Sequence, residues 1–528
     1  MKMAKSLLLG SAAGLVAVSA GQAADLPVKA KPVQYVKVCS LYGAGFYYMP
    51  GTDICLKIGG YVRAETTYHS NGNFSGGPTA GDVNNRTTNE FLMRARGYIT
   101  ADAREQTAWG TARAYVVVGV ATTDVGNSLT PSILGFNRAF IQWAGITAGD
   151  ARSFFDFFSV AAISYRAYLP NEDSGDTGWW LSAYTAQIGN GVSATISVEQ
   201  RRMSQIIGFA GPNVAGLPVF TAAPLGTPSL AVGAVAGQTT TIGLGYGGET
   251  VPDIVGNIRL DQTWGSAQIS GAAHEVNAAY YGASTVSNGL SETGHPGNEW
   301  GWVASVGLRW NFPYFAQGDY FQTQAIYTQG ATRYMNKSNN APNFGWERGE
   351  NFGFGVLSDC VFGSTASPVG GPVVNGTSCN LTTGWQVNAS YEHYWTPQFH
   401  ESFYGGIEEI RYNAQANALL CVGEGAGVGS GSLAVATPGC NNNFDIWTVG
   451  SRLQYDFTKT LYIGVDFLYS HLDTASLPGD VLHNTALVPP QNDLACATGS
   501  ATGSAPCGTI KDMNNLAVTL RMHKDFLP

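Results

Sequence analysis

The sequence predicts an all-β fold: a 16-stranded antiparallel transmembrane β-barrel with short periplasmic turns and long extracellular loops. Three observations carry that expectation. Charged residues make up only 12% of the 528, against the ~25% usual in soluble globular domains. Aromatics reach 12% and glycine 67 residues, yet beyond the first two dozen positions no apolar run approaches the ~18 residues that a spanning helix needs. Finally, apolar and polar residues alternate with a period of two in one segment after another, which is the pattern of half-buried strands.

From the N-terminus, Lys2 and Lys5 precede the apolar run LLLGSAAGLVAV (7–18), and the small residues Gly21 and Ala23 follow. This is the layout of a cleavable export signal over 1–23, and its apolar run is too short to span a bilayer. Cleavage would leave 505 residues and move the formal net charge from −9 to −11. That balance offers nothing to nucleic acid, which is bound through clustered basic charge. Residues 24–55 are expected to form an N-terminal periplasmic-side segment, and 56–528 the barrel domain.

Strands are expected at 56–69, 90–103, 110–120, 136–144, 146–153, 179–188, 192–201, 253–262, 265–276, 301–312, 319–334, 384–395, 399–411, 446–458, 461–472 and 514–526. That is sixteen, and an even number lets both termini lie on one side of a membrane. Short connections (AREQTAWG, WAGI, IGNG, TWGS, FPYFAQG, TPQ, TKT) alternate with long ones rich in Gly, Ser, Asn and Pro, such as 70–89, 202–248, 335–383 and 473–513. Such asymmetry between the two ends marks outer-membrane barrels.

The facing of the strands follows from parity. In LMRARGYITADA (92–103), Met93, Ala95, Gly97, Ile99 and Ala101 share one face, and Arg94, Arg96, Tyr98, Thr100 and Asp102 the other. In GWVASVGLRWNF, Trp302 and Trp310 sit eight residues apart on one face. At ~3.3 Å per residue that is ~26 Å along the strand, or roughly 20 Å of depth after tilt, near the spacing of two aromatic girdles. Trp447, Val449, Leu453, Tyr455 and Phe457 repeat the stripe. With girdles outward, Arg63, Arg94, Arg96, Arg113, Arg138, Arg259, Arg309, Arg452 and Arg521 all point to the lumen. A lipid-facing Arg near the midplane would cost ~2–4 kcal/mol, which gives the one-sided placement a physical cause.

Eight cysteines in an exported chain suggest disulfides. They fall into close pairs, and nearest-neighbour pairing is expected: Cys39–Cys55, Cys360–Cys379, Cys421–Cys440 and Cys496–Cys507. Metal clusters would call for CxxC spacing or interleaved His, so no metal and no cofactor is expected.

Four segments together resemble the general diffusion porin family of the alphaproteobacterial outer membrane: VCSLYGAGFYYMPGTDICLKIGGYVR (38–63), LMRARGYITADAREQTAWGTARAY (92–115), FIQWAGITAGDARSFF (140–155) and PDIVGNIRLDQTWGSAQISGAAHEV (252–276). The likeness runs to Phe526, with the long loops least alike and the C-terminus ending Phe526-Leu527-Pro528 rather than on an aromatic. The resemblance implies a homotrimeric barrel in outer-membrane lipid that passes ions and small hydrophilic solutes passively. It also implies that the loop after the fifth strand, about 154–178, folds inward as a constriction. That loop carries Asp156, Glu172, Asp173 and Asp176, with Arg166 as its single base, and it would face Arg63, Arg94, Arg96 and Arg113 on the wall. Opposed acids and bases would set a transverse field across the passage.

Other chemistry finds little footing. The histidines are scattered, and neither HExxH nor GxSxG occurs, so an outer-membrane hydrolase lacks a nucleophile motif. GLGYGG (243–248) is without the strand–helix context of a dinucleotide loop. A barrel-based surface adhesin, which asks only for long loops, is the alternative class.

Overall fold

The computed structural model describes residues 37–70, 79–80, 89–124, 130–131, 134–158, 164–165, 178–209, 246–278, 295–335, 343–348, 351–363, 376–425, 439–476 and 509–527. Its principal sheet is built from β1 (Cys55–Tyr68), β2 (Phe91–Thr107), β3 (Gly110–Thr123), β4 (Gly135–Trp143), β5 (Ile146–Ala151), β6 (Trp179–Gly189), β7 (Val192–Glu199) and β8 (Asp253–Gln262). It continues through β9 (Gly265–Val276), β10 (Glu299–Asn311), β11 (Tyr320–Gln329), β12 (Thr383–Tyr394), β13 (Phe399–Arg411), β14 (Phe444–Thr458), β15 (Leu461–Asp473) and β16 (Met513–Leu527). Every strand pairs antiparallel with its neighbour in chain order, and β16 returns to β1 with Tyr61 opposite Asp525 and Tyr68 opposite Val518. The sheet is therefore a closed barrel of the expected sixteen strands. Closure removes the edges that would template aggregation and satisfies the backbone within lipid.

Boundaries shift where local chemistry intervenes. The strand expected over 319–334 stops at Gln329, because Gly330 adopts a φ of 73° and the chain enters a short 3-10 turn at Thr332–Tyr334. The tight hairpins explain themselves. Ala144-Gly145 (φ 51° and 86°) and Asn190-Gly191 (φ 51° and 78°) place both central residues in the left-handed region, the type I′ geometry that matches strand twist. A Cβ at position 191 would lie 2.0 Å from the Asp261 carbonyl oxygen, so only glycine fits.

The two faces separate as parity requires. Val62, Met93, Ile99, Ile258, Ile269, Trp302, Val306, Trp310, Val449, Tyr455, Phe457, Leu520 and Met522 are exposed on the outside. Their in-register partners' neighbours Arg63, Arg94, Arg96, Tyr98 and Asp102 lie on the opposite, inner parity. A single Cys replacing Ala95 should thus resist a water-soluble thiol reagent in the membrane, whereas one replacing Arg96 should label through the lumen. Labelling both equally would contradict this facing.

The long connections are more structured than their composition suggests. Ile206–Phe209 pairs in parallel with Cys360–Gly363, and Asn343–Arg348 pairs antiparallel with Asn351–Val356. A helix, α1 (Ala414–Gly425), follows β13, its first turn capped by the Asn413 side chain, which accepts from the Ala416 N–H at 2.8 Å. These pieces fold over the barrel mouth. Phe354, Val356, Leu357, Val361 and Leu420 join inward-facing Val255, Val303, Ile326, Ile446 and Leu472 in one buried apolar cluster, so the mouth holds a core of its own.

Two of the expected disulfides are present. Cys39–Cys55 (Cα–Cα 5.9 Å) ties the N-terminal segment to the start of β1, and Cys360–Cys379 (5.6 Å) closes a mouth loop. Cys440 is also disulfide-bonded. The side chain of Cys421, together with Cys496, Cys507 and the signal segment 1–23, lies outside the described residues.

Candidate functional site: the lumen wall and the inward loop

On the inner wall, β1 and β2 set Arg63 directly opposite Arg96, and Glu65 opposite Arg94. Like charges placed across a strand pair repel, and Glu65 relieves part of that. It is 3% exposed, accepts from Arg94 Nε at 2.8 Å and, from the β16 side, from Arg521 Nε at 2.8 Å. Arg63 turns away. Its Nε donates to His523 Nδ1 at 3.2 Å, and its guanidinium stands 4.9 Å from the Tyr61 ring. Among the described residues Arg63 meets no carboxylate.

Arg94, Arg96 and Arg113 share a parity on neighbouring strands, which predicts one continuous positive patch, and the structure corrects that expectation. Arg113 shares the inner face with Arg94 and Arg96 but not their height. The tight β2–β3 turn fixes a register in which Arg113 stands opposite Arg104, while Arg96 stands opposite Ala121. Eight residues at ~3.3 Å separate the two levels by ~26 Å along the strand. Near the short-turn end Arg113 is already ion-paired: Asp102 accepts from its Nε at 2.9 Å and Nη2 at 3.0 Å, and from Arg104 Nη2 at 2.7 Å. A continuous patch of Arg94, Arg96 and Arg113 does not form.

After β5 the chain turns into the lumen and is held at two places. At the first, Phe154 and Phe155 present carbonyls to the inner wall. Asn257 Nδ2 donates to Phe154 O at 2.5 Å, and Ser270 Oγ to Phe155 O at 2.7 Å. Phe157 lies over Gly307 of β10, where a Cβ would come within 2.4 Å of its ring. At the second, Ser164 Oγ donates to Asp466 Oδ2 at 2.6 Å, the Tyr165 amide donates to the same carboxylate, and Tyr165 OH donates to Gln454 Oε1 at 2.8 Å. Arg521 Nη2 also donates to Tyr165 O at 3.2 Å. The loop's second hold therefore shares Arg521 with the Glu65–Arg94 pair.

Asp156 is the second correction. It was expected to line the narrow passage, but it is buried and bound in a two-point ion pair, Arg202 Nη1 and Nη2 each donating at 3.0 Å. The reason is position. Asp156 lies at the root of the inward loop and Arg202 at the root of the next long connection, and neither root reaches open water. Burial opposes the Arg202 charge, yet the Asp156 carboxylate, with Tyr334 and Glu199 beside it, outweighs burial and raises the arginine's pKa. Glu172, Asp173, Asp176 and Arg166 lie outside the described residues.

The inner wall is lopsided. Lumen-facing Gln268, Gln324, Gln386, Asn388, Ser402, Thr448 and Asp466, on β9 and β11–β15, are buried. Arg63, Arg96, Arg113, Tyr115 and Arg138, on β1–β4, remain partly exposed. Parity reasoning placed Asp102 on the arginine face but, followed on the arginines alone, missed Glu65 and Asp466. The same parity, applied to acids, would have placed both on the lumen face.

Comparison with known proteins agrees with this geometry. The family model described as the porin subfamily matches residues 25–496. This chain belongs to the porin subfamily. It is similar to the porin Omp2b of Brucella suis (33% identical over 277 residues, 50% of this chain and 64% of that protein). It is also similar to Omp2b of Brucella melitensis (32% over 274 residues, 50% and 63%). The matched part thus spans somewhat under two thirds of these relatives. In fold, the porin resembles the outer membrane channel DcaP of Acinetobacter baumannii, with a TM-score of 0.52 at 12% identity, covering 91% of this chain and 99% of the other. Family and closed barrel together make this porin a multi-pass protein of the bacterial outer membrane.

Proposed function

We propose that this porin is a passive diffusion channel for ions and small hydrophilic solutes. The observation that carries the reading is the set of partly exposed arginines on the inner face of β1–β4, together with an inward chain whose described residues are held against β8–β10 and β14–β16. Solutes would pass between the two, with Arg63, Arg94 and Arg96 at the narrow level, Arg113 below it, and Glu172, Asp173 and Asp176 supplying the opposing charge. Such transport needs no reaction, since a hole of fixed size and charge selects by passage alone. We read the assembly as a homotrimer. The outer face of β1–β3 carries Ala64, Ala95, Gly97, Ala101, Ala103, Ala112 and Ala114 among larger residues such as Val62, Met93 and Ile99, and those small side chains would let barrels approach closely.

Planar-bilayer recording of the purified protein tests both parts. Stepwise open-channel currents are expected, with closure in three equal sublevels. An intact bilayer with no steps would overturn the channel in favour of an adhesin, and single-level closure would overturn the trimer.

A further inference from the structure

A ligand set unrelated to the lumen stands on the outer rim, at the long-loop end. The outward-facing carboxylates of Glu409, Asp445 and Asp473 are cross-strand neighbours on β13, β14 and β15, Glu409 opposite Asp445 and Asp445 opposite Asp473. Directly opposed like charges destabilise a sheet unless something compensates them. Arg411 does so for the first two, at 2.6 Å to Glu409 and 2.8 Å to Asp445. Nothing equivalent serves Asp473. Among the described residues neither it nor Asp512, just before β16, has a Lys or Arg partner. What they have is His471: its Nε2 is 3.2 Å from Asp473 Oδ1, and one ligand atom from each of His471, Asp473 and Asp512 lies within 4.8 Å of the other two. The imidazole is held in place by stacking on Trp447, with ring centroids 5.0 Å apart and planes 27° from parallel. Asp512 is steadied by the Thr474 amide, which donates to its Oδ1 at 3.0 Å.

We propose that His471, Asp473 and Asp512 form a divalent transition-metal site that clips together the two stems of the 474–511 connection. Ligand atoms on one zinc ion, with bonds of ~2.0–2.2 Å, stand roughly 3.3 Å apart. The His471–Asp473 pair already has that spacing, and Asp512 needs only a side-chain adjustment. An imidazole beside two carboxylates favours Zn2+ and its neighbours over Ca2+ or Mg2+, which prefer oxygen alone. Three protein ligands would leave the fourth position of a tetrahedral ion to water. Sequence spacing hides the set, because Asp512 is 39 residues from Asp473 and only the β15–β16 pairing unites them.

The test uses the full barrel without an affinity tag, in detergent micelles, with Zn2+ alone as probe. Isothermal titration should show a site in the wild type that weakens by roughly 100-fold or more in Asp473→Asn and in Asp512→Asn, since even outer-shell changes cost about 10–100-fold. His471→Gln should do the same and serves if either Asn variant fails to fold, folding being read from heat-modifiable migration. Sites made by the other seven histidines would persist in every variant. No Zn2+ uptake by the wild type, undiminished uptake in the variants, or loss in only one of them would overturn the three-ligand clip. So would tighter binding of Ca2+ than of Zn2+.

Discussion

Replacing Asp156 with Ala should destabilise the barrel by about 3–5 kcal/mol, the usual cost of stranding one partner of a buried ion pair. The Arg202 guanidinium that remains has 0% side-chain exposure, so water cannot take over the role of the carboxylate. The rings of Trp179 and Tyr334, 5.1 and 4.6 Å from it, soften the loss through cation–π attraction but supply no hydrogen-bond acceptors in the fork geometry. Replacing both partners, Asp156→Ala with Arg202→Met, should recover most of the stability, because it removes the charge as well as its counter-ion. Urea titration of the heat-modifiable folded form in vesicles measures both. A loss below about 1 kcal/mol in the single variant would show that Glu199, whose carboxylate also lies beside this pair and accepts from the Phe154 amide at 3.0 Å, takes over the neutralisation. The same variant should raise open-channel noise, since the first hold of the inward loop is anchored next to Asp156.

The second large effect concerns selectivity. Replacing Arg63 and Arg96 together with Ser removes two positive charges from one level of the wall. In a narrow passage at 0.1 M salt, where the Debye length is ~10 Å, this should raise the cation-to-anion permeability ratio roughly tenfold. The reversal potential across a salt gradient reads the change directly. In 1 M salt, with a Debye length of ~3 Å, most of it should vanish. Arg113→Ser should do far less, because Arg113 stands at another height, ~26 Å along the strand, and is ion-paired with Asp102. A folded double variant with an unchanged reversal potential, or an Arg113 variant with an equal shift, would mean that the narrow level lies elsewhere.

The contrast between those two variants shows what the sequence could and could not reveal. Period-two alternation is a property of each strand by itself, so the number of strands and the inward facing of the nine strand arginines were legible from parity alone. Height within the barrel is not local. It depends on where a hairpin turns, and Arg113 looked adjacent to Arg96 only until the register set it opposite Arg104. Partners brought together by closure are further out of reach: Glu65 meets Arg521 across 456 residues, and Asp156 meets Arg202 between two loop roots. The mouth was the least legible part. Its loops are rich in Gly and Ser, which reads as irregular chain, yet Asn413 ahead of a run of helix formers was a cap signal, and Phe354 and Val356 alternate with glycines in a short pattern easily taken for a loop.

The lopsided inner wall gives the barrel two kinds of interior. Along β9 and β11–β15, lumen-facing side chains such as Gln324, Gln386 and Ser402 behave like the core of a water-soluble domain. Changes of volume or polarity there should be felt as folding defects. Along β1–β4 the inward arginines stay partly exposed, with Glu65, Tyr98 and Asp102 buried between them, and on the proposed function replacing those arginines should alter what passes with less disturbance of packing. On that reading, variation in what passes has one arc of the circumference in which to work, with the remainder acting as scaffold. An engineer wishing to retune this channel should confine changes to that arc.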